Sequence, residues 1–152
     1  MIRVAINGFG RIGRAFARLS NGRLPAQAGG IELVAVNDLG SLENLAYLLA
    51  YDTVYGRAPF PVQVRPARGG LPAQAGVDNG ALVIDGREVK FFSEKDPANL
   101  PWKELRIDIV IESTGFFTEY EKAQAQITAG ALRLIITAPG KGDESLGATV
   151  LM

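Results

Sequence analysis

The chain has 152 residues, 47% hydrophobic and 21% charged, with 16 basic and 16 acidic side chains and a formal net charge of zero. That fits one folded domain of ordinary size; the even charge balance argues against a nucleic-acid surface, which needs a basic excess, and no apolar run approaches the ~20 residues of a membrane span. Cysteine and histidine are both absent, which excludes disulfides, a thiol nucleophile, metal sites built on either residue and a Ser-His-Asp arrangement.

Residues 2–6 form a short, largely apolar run that suits a buried strand, and Asn7 and Gly8 stop it. Gly8, Gly10 and Gly13 then give G-x-G-x-x-G, and helix is expected from Arg14 onward. Set between a strand and a helix, this motif has a mechanism. Gly8 allows the tight turn, Gly10 lets a pyrophosphate approach the backbone, and Gly13 lets the helix lie close to the strand. Arg11 and Ile12 complete the turn, where unpaired N–H groups and the positive end of the helix dipole face the anion. A glycine turn kept only for packing is the alternative.

A loop over residues 21–30 leads to a second strand, residues 31–36, which ends at Asn37 and Asp38. A carboxylate at that place accepts hydrogen bonds from the adenosine ribose hydroxyls and repels a 2′-phosphate. Leu39 and Gly40 follow, with no Arg, so NAD is expected rather than NADP. Asp38 lies 25 residues after Gly13, against a usual ~20, and the loop explains the slack. Asp38 as the N-cap of the next helix is the competing role. That helix covers residues 41–51, with Leu42, Leu45, Leu48 and Leu49 as a core stripe.

Pro59, Pro61, Pro66 and Pro72 rule out a long helix in the next stretch. Residues 60–64 alternate as an edge strand would. Residues 81–84 and 88–92 are strand candidates across Asp85-Gly86, a hairpin signal. Residues 24–29 recur as 71–76, but a six-residue copy is too short for a structural repeat. Coincidence of composition or loop drift is expected, with a loop–loop contact as the alternative.

Residues 93–97 are a turn, and Trp102 is expected to pack in a short helical turn. Residues 107–111 are the next buried strand, ended by Glu112. Its carboxyl end should lie beside the glycine turn, where Ser113 and Thr114 offer hydroxyls and Gly115 permits close approach of the backbone. Thr118 is placed as the cap of a helix over residues 119–128, which Gly130 ends. Residues 132–136 read as a further central strand. A polar loop over residues 140–147 follows, and residues 148–152 begin one more strand.

Several motifs resemble those of the glyceraldehyde-3-phosphate dehydrogenase family: residues 6–14, 36–39, Tyr51-Asp52-Thr53 with Tyr55-Gly56, residues 112–118 and residues 135–139. They recur in the family's order over nearly the whole chain. Erythrose-4-phosphate dehydrogenase shares the opening. The resemblance implies an α/β, doubly wound, mostly parallel Rossmann sheet over residues 1–152, with an inserted antiparallel hairpin region at residues 60–92. It marks residues 65–79 as an insertion. It implies NAD as cofactor and places Lys95 and Phe117 near the adenine, and Thr137 near the nicotinamide. It also implies aldehyde oxidation with NAD and phosphate, a cytoplasmic location and, for the full-length protein, a homotetramer. The family's catalysis needs a Cys that forms a thiohemiacetal and a His as base. This sequence contains neither, and both are expected beyond residue 152. A non-catalytic nucleotide-binding or regulatory module is the alternative from another class.

Overall fold

The computed structural model describes residues 1–22, 30–67 and 79–150. In chain order the elements are β1 (Ile2–Asn7), α1 (Arg11–Gly22), β2 (Ile31–Asn37), α2 (Leu42–Ala50), β3 (Tyr51–Asp52), β4 (Gly56–Arg57), β5 (Val62–Arg65), β6 (Ala81–Ile84) and β7 (Arg87–Phe92). A 3-10 turn at Pro97–Asn99, β8 (Ile109–Glu112), α3 (Tyr120–Thr128) and β9 (Arg133–Ile136) complete them. Among the described residues one seven-stranded sheet runs β5-β6-β7-β2-β1-β8-β9, and β3 with β4 forms a separate two-stranded sheet. The pairs β7–β2, β2–β1, β1–β8 and β8–β9 are parallel, and β5–β6 and β6–β7 are antiparallel.

The side-chain alternation of a strand puts successive residues on opposite faces. Val4 and Ile6 of β1, Val36 of β2 and Phe91 of β7 therefore meet Leu42, Leu45, Ala46 and Leu49 of α2 and Ala17 of α1. Their sequence neighbours Ala5, Ala35 and Phe92 face the other way, onto Trp102, Ile107, Val110, Ala129 and Ala131. Two apolar layers on one sheet are what a doubly wound fold requires. The chain runs outward from β1 through β2 to the hairpin, then returns to β8 on β1's other side. The β1–β8 gap is thus the topological switch point, where ligands collect in such sheets.

The hairpin forms as expected. Asp85 and Gly86 both take positive φ, 51° and 75°, the backbone that a two-residue hairpin turn demands. β5 lies at the sheet edge. Trp102 is fully buried and meets Phe92 edge-on. Residues 68–78, with most of the expected insertion, both six-residue copies and residues 151–152 lie outside the described residues.

Some expectations need correction. Helix α1 begins at Arg11, so Gly13 sits inside its first turn. The strand expected over residues 107–111 starts at Ile109, because Arg106 (φ 51°) still belongs to the preceding turn. Thr118 does not cap α3: the cap position is Glu119, with no side-chain cap bond, and the Thr118 carbonyl instead accepts from Lys141 N–H. β9 is an edge strand among the described residues rather than a central one. Residues 148–150 form no strand.

Candidate cofactor site

The switch point brings together the ends of β1, β2 and β8. At β1 the Gly8 N–H donates to the Asn37 carbonyl at 2.8 Å, so Gly8 shapes the turn and offers no free donor. Its φ is +91°, and a Cβ there would lie 2.6 Å from the Thr114 nitrogen. Only glycine lets these two turns touch. The Gly10 carbonyl accepts from Arg14 N–H at 3.0 Å, the first bond of α1. The N–H groups of Arg11, Ile12 and Gly13 therefore have no acceptor within the helix. No acidic side chain occupies the first turn of α1.

The three glycines differ in what surrounds them. A Cβ on Gly13 would meet the Gly8 carbonyl oxygen at 2.3 Å, whereas one on Gly10 would meet nothing within 4 Å. Gly13 is therefore needed for helix–strand packing, and Gly10 opens onto free space. Gly10 directly precedes the first turn of α1, whose N–H groups are the kind of donors an anion uses at a helix start.

Asp38, just after β2, braces the glycine turn. Its Oδ2 accepts from Phe9 N–H at 2.7 Å and its Oδ1 from Gly40 N–H at 2.8 Å. Helix α2 is capped instead by Ser41, whose hydroxyl accepts from Asn44 N–H at 3.3 Å. A carboxylate has about four acceptor positions, so Asp38 can brace the glycine turn and still receive two ribose hydroxyls. Arg14 braces the same turn by donating to the Phe9 carbonyl at 2.8 Å. Burial lowers its pKa from the usual arginine value, opposed by the charges of Asp52 and Asp38.

On the far wall, the Ser113 hydroxyl donates to the Gly8 carbonyl at 2.7 Å, and its N–H donates to the Asn7 carbonyl at 2.8 Å. The Thr114 hydroxyl donates to Glu112 and accepts from Phe116 N–H. Both hydroxyl protons therefore bind the protein, and what these residues offer a ligand is acceptor oxygen. Gly115 has φ +78° with open space at its Cβ position. Phe117 is half-buried, and Phe116 is the ring left 83% exposed. Lys95 is exposed on the loop after β7. That loop is tied to β2 by paired bonds between Asn37 and the Glu94 backbone, at 2.8 and 2.9 Å. The Thr137 hydroxyl and N–H both reach the Glu112 carbonyl. Thr137 also lines an apolar groove of about 880 Å³ between α3, β9 and residues 146–150. The glycine turn lies outside that groove, so its volume does not measure the nucleotide cleft.

Asn7, Arg14, Asn37 and Glu112 also shape the site, although residue type and spacing mark them only as strand ends or helix positions. Asn7 and Asn37 are 1% and 4% exposed, and Glu112 is 2% exposed. Asn37 donates to Asn7 at 2.7 Å, and Asn7 donates to Glu112 at 2.6 Å. The available signal is that each of three apolar strand runs ends in a polar residue where the sheet meets the cleft.

An open helix end between two strand turns, with an acid at the tip of the neighbouring strand, is the arrangement that a dinucleotide needs, and it makes this a dinucleotide-binding α/β domain. A family model described as "Glyceraldehyde 3-phosphate dehydrogenase, NAD binding domain" matches residues 2–120. The chain belongs to that family, and its cofactor is NAD. It is 46% identical over 144 residues to a glyceraldehyde-3-phosphate dehydrogenase of Thermotoga maritima, covering 95% of this chain and 38% of the relative. It is 44% identical to the chloroplastic glyceraldehyde-3-phosphate dehydrogenase A of Zea mays, over 93% of this chain and 32% of the relative. It is 43% identical to glyceraldehyde-3-phosphate dehydrogenase 1 of Streptomyces arenae, over 94% of this chain and 38% of the relative. The chain thus spans roughly a third of the length of these relatives.

Proposed function

We propose that residues 1–152 are the cofactor half of a phosphorylating glyceraldehyde-3-phosphate dehydrogenase-like oxidoreductase, which binds NAD and catalyses nothing alone. The observation that carries the reading is the start of α1 just after Gly10, where an added Cβ would meet nothing within 4 Å and the Arg11, Ile12 and Gly13 N–H groups have no acceptor within the helix. When bound, NAD supplies the hydride acceptor for aldehyde oxidation. The chain's own residues supply binding and orientation. The backbone of Gly10, Arg11, Ile12 and Gly13 takes the pyrophosphate, and Gly8 sets the turn that presents it. Asp38 takes the ribose, and its charge disfavours a 2′-phosphate. Lys95 and Phe117 flank the adenine, Ser113, Thr114 and Gly115 form the opposite wall, and Thr137 stands at the nicotinamide end. Without Cys or His, the chain offers neither the thiol nor the imidazole that the family's chemistry uses, so those groups come from a further domain.

Calorimetric titration with NAD and NADP tests this. Binding is expected for NAD, with NADP much weaker. Asp38→Ala should weaken NAD by about tenfold, the scale of losing hydrogen bonds to a charged group. Equal affinity of Asp38→Ala and the parent would remove Asp38 from the site. Thiol-dependent aldehyde oxidation by the purified chain would refute the claim that it is inactive alone.

A further inference from the structure

Three donors of fixed direction bound a buried polar chain beneath the cleft. The Trp102 indole N–H can only donate, so Gln126 turns Oε1 to it at 2.6 Å and Nε2 to Glu112 at 3.0 Å. The Glu94 backbone N–H can only donate, so Asn37 gives it Oδ1 and turns Nδ2 to Asn7. Asn7 then turns its own Nδ2 to Glu112. The Thr114 backbone N–H takes the other Glu112 oxygen at 2.9 Å, and the Thr114 hydroxyl joins it there. Apart from the second Asn37 Nδ2–H, which returns to the Glu94 carbonyl, the donors run toward one carboxylate, both of whose oxygens accept. An amide at this position offers one acceptor and one donor. In either orientation it sets N–H against N–H.

We propose that Glu112 is the positioning residue of the cofactor cleft. It touches no cofactor. It holds the turn of Thr114 and Gly115 against Gly8 and, through Asn7 and Asn37, fixes the loop that carries Lys95. Both walls then keep the separation that a dinucleotide needs before one arrives. The proposal rests on the NAD site described above.

The test is calorimetric titration of NAD into the chain and its variants, with a thermal melt of each. Glu112→Gln is expected to fold, melt at a lower temperature and bind NAD about tenfold more weakly, the scale of one buried donor left without an acceptor. Leu82→Ala is the stability control, because Leu82 is fully buried in the β6 layer away from the cleft. It should lower the melting temperature while leaving NAD affinity within about twofold, as distant sites do. NAD affinity unchanged in Glu112→Gln, or lost equally in Leu82→Ala, makes position 112 merely structural and overturns the proposal. If Glu112→Gln does not fold, Asn37→Ala cuts the chain between Asn7 and Glu94 with Glu112 in place. AMP should then bind about tenfold more weakly, and an unchanged AMP affinity overturns the proposal. Absence of NAD binding by the parent sinks the cofactor reading and this proposal together, whereas parent binding with unaltered variants sinks this proposal alone.

Discussion

Gly10 and Gly13 answer differently to the same methyl group. At Gly13 a Cβ would press on the Gly8 carbonyl at 2.3 Å, a backbone atom that cannot swing away. Gly13→Ala should therefore cost about 1–3 kcal/mol of stability, as overpacking does, and lower the melting temperature even without nucleotide. At Gly10 the added carbon meets nothing, so Gly10→Ala should melt like the parent yet bind NAD at least about tenfold more weakly, by obstructing the phosphates. Parallel melts and titrations of the two variants check the contrast. Constraints of this kind are legible in the sequence because they are local: a short glycine spacing implies the turn. Asn7, Asn37 and Glu112 were not legible in that way, since Asn7 finds its partners 30 and 105 residues away. A buried amide reads like any strand-ending polar residue until the fold shows what it faces.

Elements were legible in proportion to how much of their cause lies in adjacent residues. The β6–β7 hairpin follows from Asp85-Gly86, and the ends of α2 and α3 follow from Ser41 and Gly130. β3 and β4, two residues each, carry too little pattern to be seen. The start of α1 was obscured because Gly13 reads as turn although it is helical. Gly130 combines φ +108° with a Cβ position only 2.4 Å from that of Lys103, so Gly130→Ala should lower stability by about 1–3 kcal/mol in a denaturation experiment. The β3–β4 turn adds a pH dependence. N–H groups of Tyr55 and Val54 donate to Asp52 and hold its carboxyl below the usual 3.8. A group depressed in the folded state stabilises above its unfolded pKa and loses that contribution as pH falls through the folded one. The parent should thus lose stability below about pH 3.8 more steeply than Asp52→Asn, as melts across the acid range would show. Equal slopes would assign the acid loss elsewhere.

At the scale of the molecule, the doubly wound arrangement was legible from the order of strand, glycine turn, helix and strand, together with the acid at Asp38. The edge position of β9 was not, because an apolar run has the same composition at an edge as at a centre. Among the described residues no helix is long and apolar enough to cross a membrane. Binding to the folded state alone raises stability by mass action, so NAD at a hundredfold excess over its Kd should add about 2.7 kcal/mol and raise the melting temperature. NADP at the same concentration should raise it far less. Identical shifts with the two nucleotides would contradict the role given to Asp38.

The pairing of β1 with β8 has a consequence for biosynthesis. The first wall of the cleft leaves the ribosome with Gly8, but its counterpart lies 105 residues later in the chain. A nascent polypeptide therefore carries half a seat until Ser113 has been made, and the nucleotide cannot template folding of this site before then. It can clasp only a chain that has already closed on itself.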